Sequence, residues 1–328
     1  MAGQLFSKLF RVLMITALIT MISCPAFAGE KDTIHKTFKV SKGGKLFLDS
    51  DRGSVEIMSG AGNTVDVTVY KESRSWDDDE LDDFEVRFKQ SGDNVDIIGE
   101  YRGGSHFWKN SHLRIRYVIT VPDQYDIQVK TSGGSIEVAD IEGDVQLKTS
   151  GGSIKLGNII GPVDANTSGG SIRVEDCKGN ADLHTSGGSI NIGDVDGEVI
   201  AKTSGGSISI KSAKGSVSAR TSGGSINVDE VSGAIDASTS GGTVRATITK
   251  QFDNDCRLST SGGSVIVSLA RDIRANIDAS TSGGRVKTDF EVTVRGELKK
   301  NKLVAKINGG GPELFLRTSG GNVEIREL

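Results

Sequence analysis

Both tryptophans of this sequence fall in two short segments that interrupt a strand-like pattern. The first, Glu72 to Asp83, holds Trp76 and the acidic run Asp77-Asp78-Asp79-Glu80. The second runs from Tyr101 to His112 and holds Arg102, His106, Phe107, Trp108 and Lys109. Aromatic rings on loops of mixed charge suit sugar recognition, because sugar C–H faces stack on rings while hydroxyls take hydrogen bonds from neighbouring polar groups. Trp76, Tyr101, Arg102, His106 and Trp108 are therefore the candidate ligand-binding residues. The competing reading makes Trp76 and Trp108 plugs for one end of a core. The acidic run reads as a solvated loop, since consecutive carboxylates cannot all converge on one cation.

Catalytic chemistry finds less support. Asp164 and Asp182 lie one repeat apart and stack as a retaining glycosidase pair would. Their column continues as Gln146, Ile200, Ser218 and Asp236, however, so the stacking is generic. Lys202 and Arg220 begin a basic row of the polysaccharide-lyase type, but Ser238 ends it and no acids converge on it. His35, His106, His112 and His184 lack metal-ligand spacing, and no Ser-His-Asp set stands out from so serine-rich a chain. No catalytic residue, metal or cofactor is assigned. A carbohydrate-active lyase or hydrolase is the alternative to a non-catalytic binding role.

A repeat positions all of these residues. Thr-Ser-Gly-Gly begins at Thr131, Thr149, Thr167, Thr185, Thr203, Thr221, Thr239, Thr260, Thr281 and Thr318. Successive copies are 18 residues apart up to Thr239, and longer turns come after it. Such a period means a solenoid. Within each unit, apolar residues alternate twice, giving two half-repeats of one strand and one turn. The columns Ile154, Ile172, Ile190, Ile208, Ile226 and Leu156, Val174, Ile192, Ile210, Val228 face a smaller pair, Val145, Val163, Ala181, Val199 and Leu147, Ala165, Leu183, Ala201. The expected fold is all-β: a parallel β-solenoid of 18-residue coils with two strands per coil and a thin, dry core. Gly133, Gly134 and Gly143 are expected to turn the chain through left-handed backbone angles.

The spacing excludes the left-handed hexapeptide helix, and Ile136 and Val145 occupy the places where calcium-binding nonapeptides need Asp. Alternation turns Thr131 inward and Ser132 outward, which is not the outward threonine grid of an ice-binding face. Cys177 and Cys256 fall in core columns about 19 Å apart along the stack, too far to bridge, and are expected as buried free thiols.

Residues 1–28 read as a signal peptide: Lys8 and Arg11, an apolar run from Val12 to Ile22, and Ala26 and Ala28 flanking Phe27 before the cut. Cys24 offers a weaker lipoprotein alternative. The formal charge, −4 for the whole chain, becomes −6 once Lys8 and Arg11 leave with that segment. Such a balance draws in neither nucleic acid nor an anionic membrane surface, and no later stretch is apolar enough to span a bilayer. Residues 29–130 are expected as irregular coils capping the array, with strands near Phe38–Val40, Leu46–Leu48, Val65–Tyr70, Phe84–Phe88, Val95–Gly99 and Leu113–Val121. Residues 131–328 form the regular body, ending on an uncapped edge strand, Val323 to Leu328.

The Thr-Ser-Gly-Gly-Ser-Ile repeats, the lead-in Val121-Pro122-Asp123-Gln124-Tyr125-Asp126-Ile127 and the degenerate copy Asp51-Arg52-Gly53-Ser54-Val55-Glu56-Ile57 resemble the bacterial "putative adhesin" β-strand-repeat family over most of residues 36–328. The resemblance implies a right-handed parallel β-helix or roll. It brings no agreed activity and no catalytic residues. Together these readings anticipate an exported, periplasmic or cell-surface binding or structural protein whose partner is a polysaccharide or another envelope component.

Overall fold

The computed structural model describes residues 31–73, 79–102, 113–295 and 299–328; the leader and Cys24 lie outside them. Two fifteen-stranded sheets enclose one apolar cluster. In the first, the isoleucine sheet, Ile154, Ile172, Ile190, Ile208 and Ile226 stack in parallel register. In the second, the alanine sheet, Ala165, Leu183, Ala201, Ala219 and Ala237 do the same. Strict alternation buries both sets and leaves their neighbours outside. At one corner two successive outward residues, such as Glu175 and Asp176, shift the phase, so that Ile159, Cys177, Val195, Ala213 and Val231 also turn inward.

Each position of Thr-Ser-Gly-Gly-Ser has its own physical task. The threonine is buried, and its hydroxyl donates to a carbonyl of the adjacent coil, as Thr149 Oγ1 does to Gly134 O at 2.8 Å and Thr185 Oγ1 to Gly170 O at 2.7 Å. The last serine accepts the amide of its counterpart one coil on, as Ser171 Oγ does from Ser189 N at 3.1 Å. The second glycine is needed for clearance. A Cβ on Gly134 would stand 2.0 Å from Gly53 O, and one on Gly152 2.2 Å from Gly134 O, whereas one on Gly133 meets nothing within 4 Å. This corrects the expectation of left-handed turns: of Gly133, Gly134 and Gly143 only Gly143 has positive φ, at 159°, close to extended backbone. There too a Cβ would meet the Tyr125 carbonyl oxygen at 2.3 Å.

Stack order departs from chain order at both ends. The coil formed by Gly44–Ser50 and Ser54–Gly60 lies directly on Tyr125–Thr131 and Ile136–Val138. Beyond it stand Asn94–Tyr101 and Arg114–Pro122, which come later in sequence. Strands Lys31–Lys39, Thr64–Glu72 and Phe84–Ser91 are antiparallel to their neighbours and are not coils of the expected kind. At the other end Glu313–Thr318 inserts between Cys256–Thr260 and Ala275–Thr281, and Val323–Glu327 between Val265–Leu269 and Val286–Thr288. Val323–Glu327 is thus an interior strand, contrary to the uncapped edge expected from sequence. Antiparallel Lys302–Ile307 and Val292–Val294 close that side of the alanine sheet. Reversing direction stops parallel stacking from continuing and blunts an edge that would otherwise recruit another chain.

Candidate functional site

Of the five candidate ligand-binding residues, Trp76, His106 and Trp108 lie outside the described residues, as do Asp77, Asp78, Phe107, Lys109 and His112. Tyr101 ends the strand Asn94–Tyr101, and Arg102 is the next residue. Both are drawn into local contacts. The Tyr101 hydroxyl donates to Asp83 at 3.2 Å, its amide donates to Asp51 at 3.0 Å, and Arg52 lies over its ring at 5.2 Å. Arg102 pairs with Glu85, and its amide donates to Asp83 O at 2.6 Å. These contacts fix where the segment after Tyr101 leaves the alanine sheet.

Among the described residues the buried aromatics of that end are Phe84, Tyr117 and Tyr125, which sequence reading did not single out. Tyr117 shares a buried hydrogen bond with Ser50 at 2.8 Å, and Tyr125 donates to the Asp93 carbonyl. Burial raises both phenol pKa values, that of Tyr125 to about 12. Gly99 makes room, since a Cβ there would stand 2.1 Å from the Tyr117 hydroxyl. The pairing of Tyr117 with Ser50 and Gly99 joins residues far apart in sequence, so no local pattern announces it.

Asp164 and Asp182 do stack in register. Each carboxylate is engaged by a side chain two residues along its own strand: Asn166 donates to Asp164 at 2.5 Å, and His184 Nε2 bonds Asp182 at 2.6 Å. Burial, then the charge of Asp182, raises the Asp164 pKa. The basic row seen at Lys202 and Arg220 continues in the other direction through His184, Asn166 and Lys148 to Lys130. Its signal was legible as the residue before each Thr-Ser-Gly-Gly. Arg220 pairs with Asp236, and Lys130 with Asp49 at 3.0 Å.

On the opposite side, a groove of about 460 Å³ is lined by Asp123, Asp140, Glu142, Asp176, Ile160 and Lys178. Its acids serve the stack. Asp140 accepts the Asn158 amide at 2.7 Å and its side-chain nitrogen at 3.0 Å, bonds that lower its pKa. Asp176 accepts the Asp194 amide at 3.1 Å, and Asp123 pairs with Lys42 at 2.6 Å. Among the described residues no three His, Cys, Asp or Glu are placed to hold a metal ion. Nor is any helix among them long and apolar enough to cross a membrane.

Cys177 and Cys256 are buried and unbridged, Cys177 between Ile159 and Val195. Burial pushes both thiols up to about 11. Because the thiolate is the reactive form, a maleimide at pH 8 should leave both unmodified in the folded protein and label both in denaturant, read by peptide mass. Labelling of either in the folded protein would contradict their placement.

Among solved structures the chain is similar to a "putative lipid binding protein" from Parabacteroides distasonis, at 13% identity over 92% of this chain and 98% of the other, with a TM-score of 0.37. It is also similar to a "putative adhesin" from Bacteroides fragilis (13%, 92% and 99%, TM-score 0.32) and a "putative cell adhesion protein" from Clostridium sporogenes (12%, 91% and 100%, TM-score 0.23). No curated protein matches. The sequence matches the family described as Toastrack DUF4097 across residues 44–326, and the chain belongs to the Toastrack DUF4097 family.

Proposed function

We propose that this protein is an exported, non-catalytic binding solenoid of the cell envelope or surface, and that it holds a polysaccharide or another envelope component. In this reading residues 1–28 direct export, 29–130 close one end, and 131–328 form a right-handed body of 18-residue coils with longer turns after Thr239. The observation that carries it is the outward face of the alanine sheet. There parallel register repeats outward side chains, polar from Asp164 to Arg220 except at Ile200, at a fixed spacing of about 4.8 Å from coil to coil, on strands whose inward residues are locked in one core. A rigid periodic surface suits a periodic ligand, because little ordering entropy remains to be lost on binding. A second contact is assigned to Trp76, Tyr101, Arg102, His106 and Trp108, the candidates of the sequence.

The test incubates residues 29–328 with polysaccharides from the host's own envelope and records both retention and release of shortened chains. Retention without shortening is expected. Its loss in Trp76→Ala/Trp108→Ala, with the fold intact, would put a contact at the N-terminal loops. Shortening would replace this reading with a carbohydrate-active enzyme. Neither retention nor shortening would leave a structural or protein-binding role.

A further inference from the structure

Two serine columns run through the repeat, and the structure uses only one of them. The serines that close the motif, Ser135, Ser153, Ser171, Ser189 and Ser207, each accept an amide from the next coil. The serines that come after the buried threonine, Ser150, Ser168, Ser186 and Ser204, are exposed, and among the described residues no side-chain partner engages their hydroxyls. Beside them stands the basic row Lys130, Lys148, Asn166, His184, Lys202, Arg220. The middle of the row and three of these serines line an open trough of about 370 Å³, bounded by Lys148, Asn166, His184 and Lys202 along one side and Ser168, Ser186 and Ser204 along the other. Lys130, His184 and Arg220 each have an acidic partner, whereas Lys148 and Lys202 have none among the described residues.

We infer that this trough binds a linear acidic polysaccharide laid along the solenoid axis, its anionic groups on Lys148 and Lys202 and its hydroxyls on Asn166, His184 and the exposed serines. The inference rests on the binding role proposed above and names its ligand class. Five steps of about 4.8 Å make the row about 24 Å long and one side chain wide, which matches an extended chain. A planar anionic membrane fits poorly. It would also meet Asp164, Asp182 and Asp236 in the adjoining column of the same face. Single-stranded nucleic acid is held by aromatic platforms that stack successive bases, and no Phe, Tyr or Trp lines the trough.

Residues 29–328 are titrated with polygalacturonate, neutral dextran and vesicles of anionic phospholipid, the native chain beside Lys148→Glu/Lys202→Glu. The charge-matched control is Lys250→Glu/Lys287→Glu, at two exposed lysines away from the trough. Native protein should bind polygalacturonate with an affinity that falls as salt rises, because bound counterions on each partner are released. Reversing Lys148 and Lys202 should lower that affinity at least about tenfold, and the control pair should leave it near the native value. Equal binding by both variants, or equal affinity for dextran, overturns the trough as the site. Binding to vesicles in place of polygalacturonate overturns the ligand class. If host envelope polysaccharides are retained while polygalacturonate is not, this inference fails and the binding role stands; if none is retained, both fail.

Discussion

Leu316→Asp should loosen residues 275–307 together with its own coil, although those residues precede it in sequence. Leu316 is fully buried in Glu313–Thr318, the strand that lies between Cys256–Thr260 and Ala275–Thr281. A carboxylate there loses the leucine's packing and has no cationic partner in the core. The cost should be about 4 kcal/mol or more. In a solenoid stacked in chain order, such damage in the last repeat would fray only the residues C-terminal to it. Here the damaged strand is, among the described residues, the strand that pairs Ala275–Thr281 and its antiparallel partner Lys302–Ile307 to the rest of the alanine sheet, and Val323–Glu327 likewise joins Val286–Thr288 to Val265–Leu269. Amide exchange should therefore accelerate roughly a thousandfold across 275–307 and 313–327 alike, a tenfold change corresponding to about 1.4 kcal/mol. The coils up to Arg220 should keep native protection. Acceleration confined to residues after 312 would show that the inserted strand does not anchor its neighbours.

The body of this stack was legible in sequence, and its ends were not, for one physical reason. Between Thr131 and Thr239 every structural task recurs at a constant interval: Ile154 predicts Ile172, and the hydroxyl of Thr149 predicts that of Thr167. Inward alternation, however, is indifferent to which coil lies above or below. Leu314 and Leu316 would suit the place of Ile277 and Ala279 equally well, so the order of the last two coils is set by long-range pairing with no local signature. The same blindness hid Tyr117, whose partners Ser50 and Gly99 come from different strands of the N-terminal end. The basic row was half legible. Reading upward from Lys202 met Ser238 and stopped, while Lys148 and Lys130 lay below, separated by the neutral Asn166 and by His184. Glycine was misread for a different reason: its frequency suggested turn geometry, whereas the stacking distance between coils is the feature that requires it.

That distinction gives the second large effect. Gly152→Ala should destabilise the protein by about 3 kcal/mol, and Gly133→Ala, one coil away in the same motif, by no more than about 0.5 kcal/mol. Neither residue has positive φ, so turn strain predicts no difference between them. Contact distance does predict one. The new methyl at Gly152 would sit 2.2 Å from Gly134 O and 2.3 Å from its carbonyl carbon, both rigid backbone, and must push two coils apart. The same carbonyl accepts the Thr149 hydroxyl at 2.8 Å, so separation also weakens a half-buried hydrogen bond. At Gly133 the methyl enters open space. For a chain of this size, about 3 kcal/mol corresponds to a melting temperature lower by roughly 6–12 °C. Gly170, Gly188, Gly206 and Gly224 would place a methyl 2.1 or 2.2 Å from the equivalent oxygen, so alanine at any of them should reproduce the Gly152 result. Equal melting temperatures for Gly152→Ala and Gly133→Ala would return the motif's second glycine to a turn-forming role and remove clearance between coils as the reason for its recurrence.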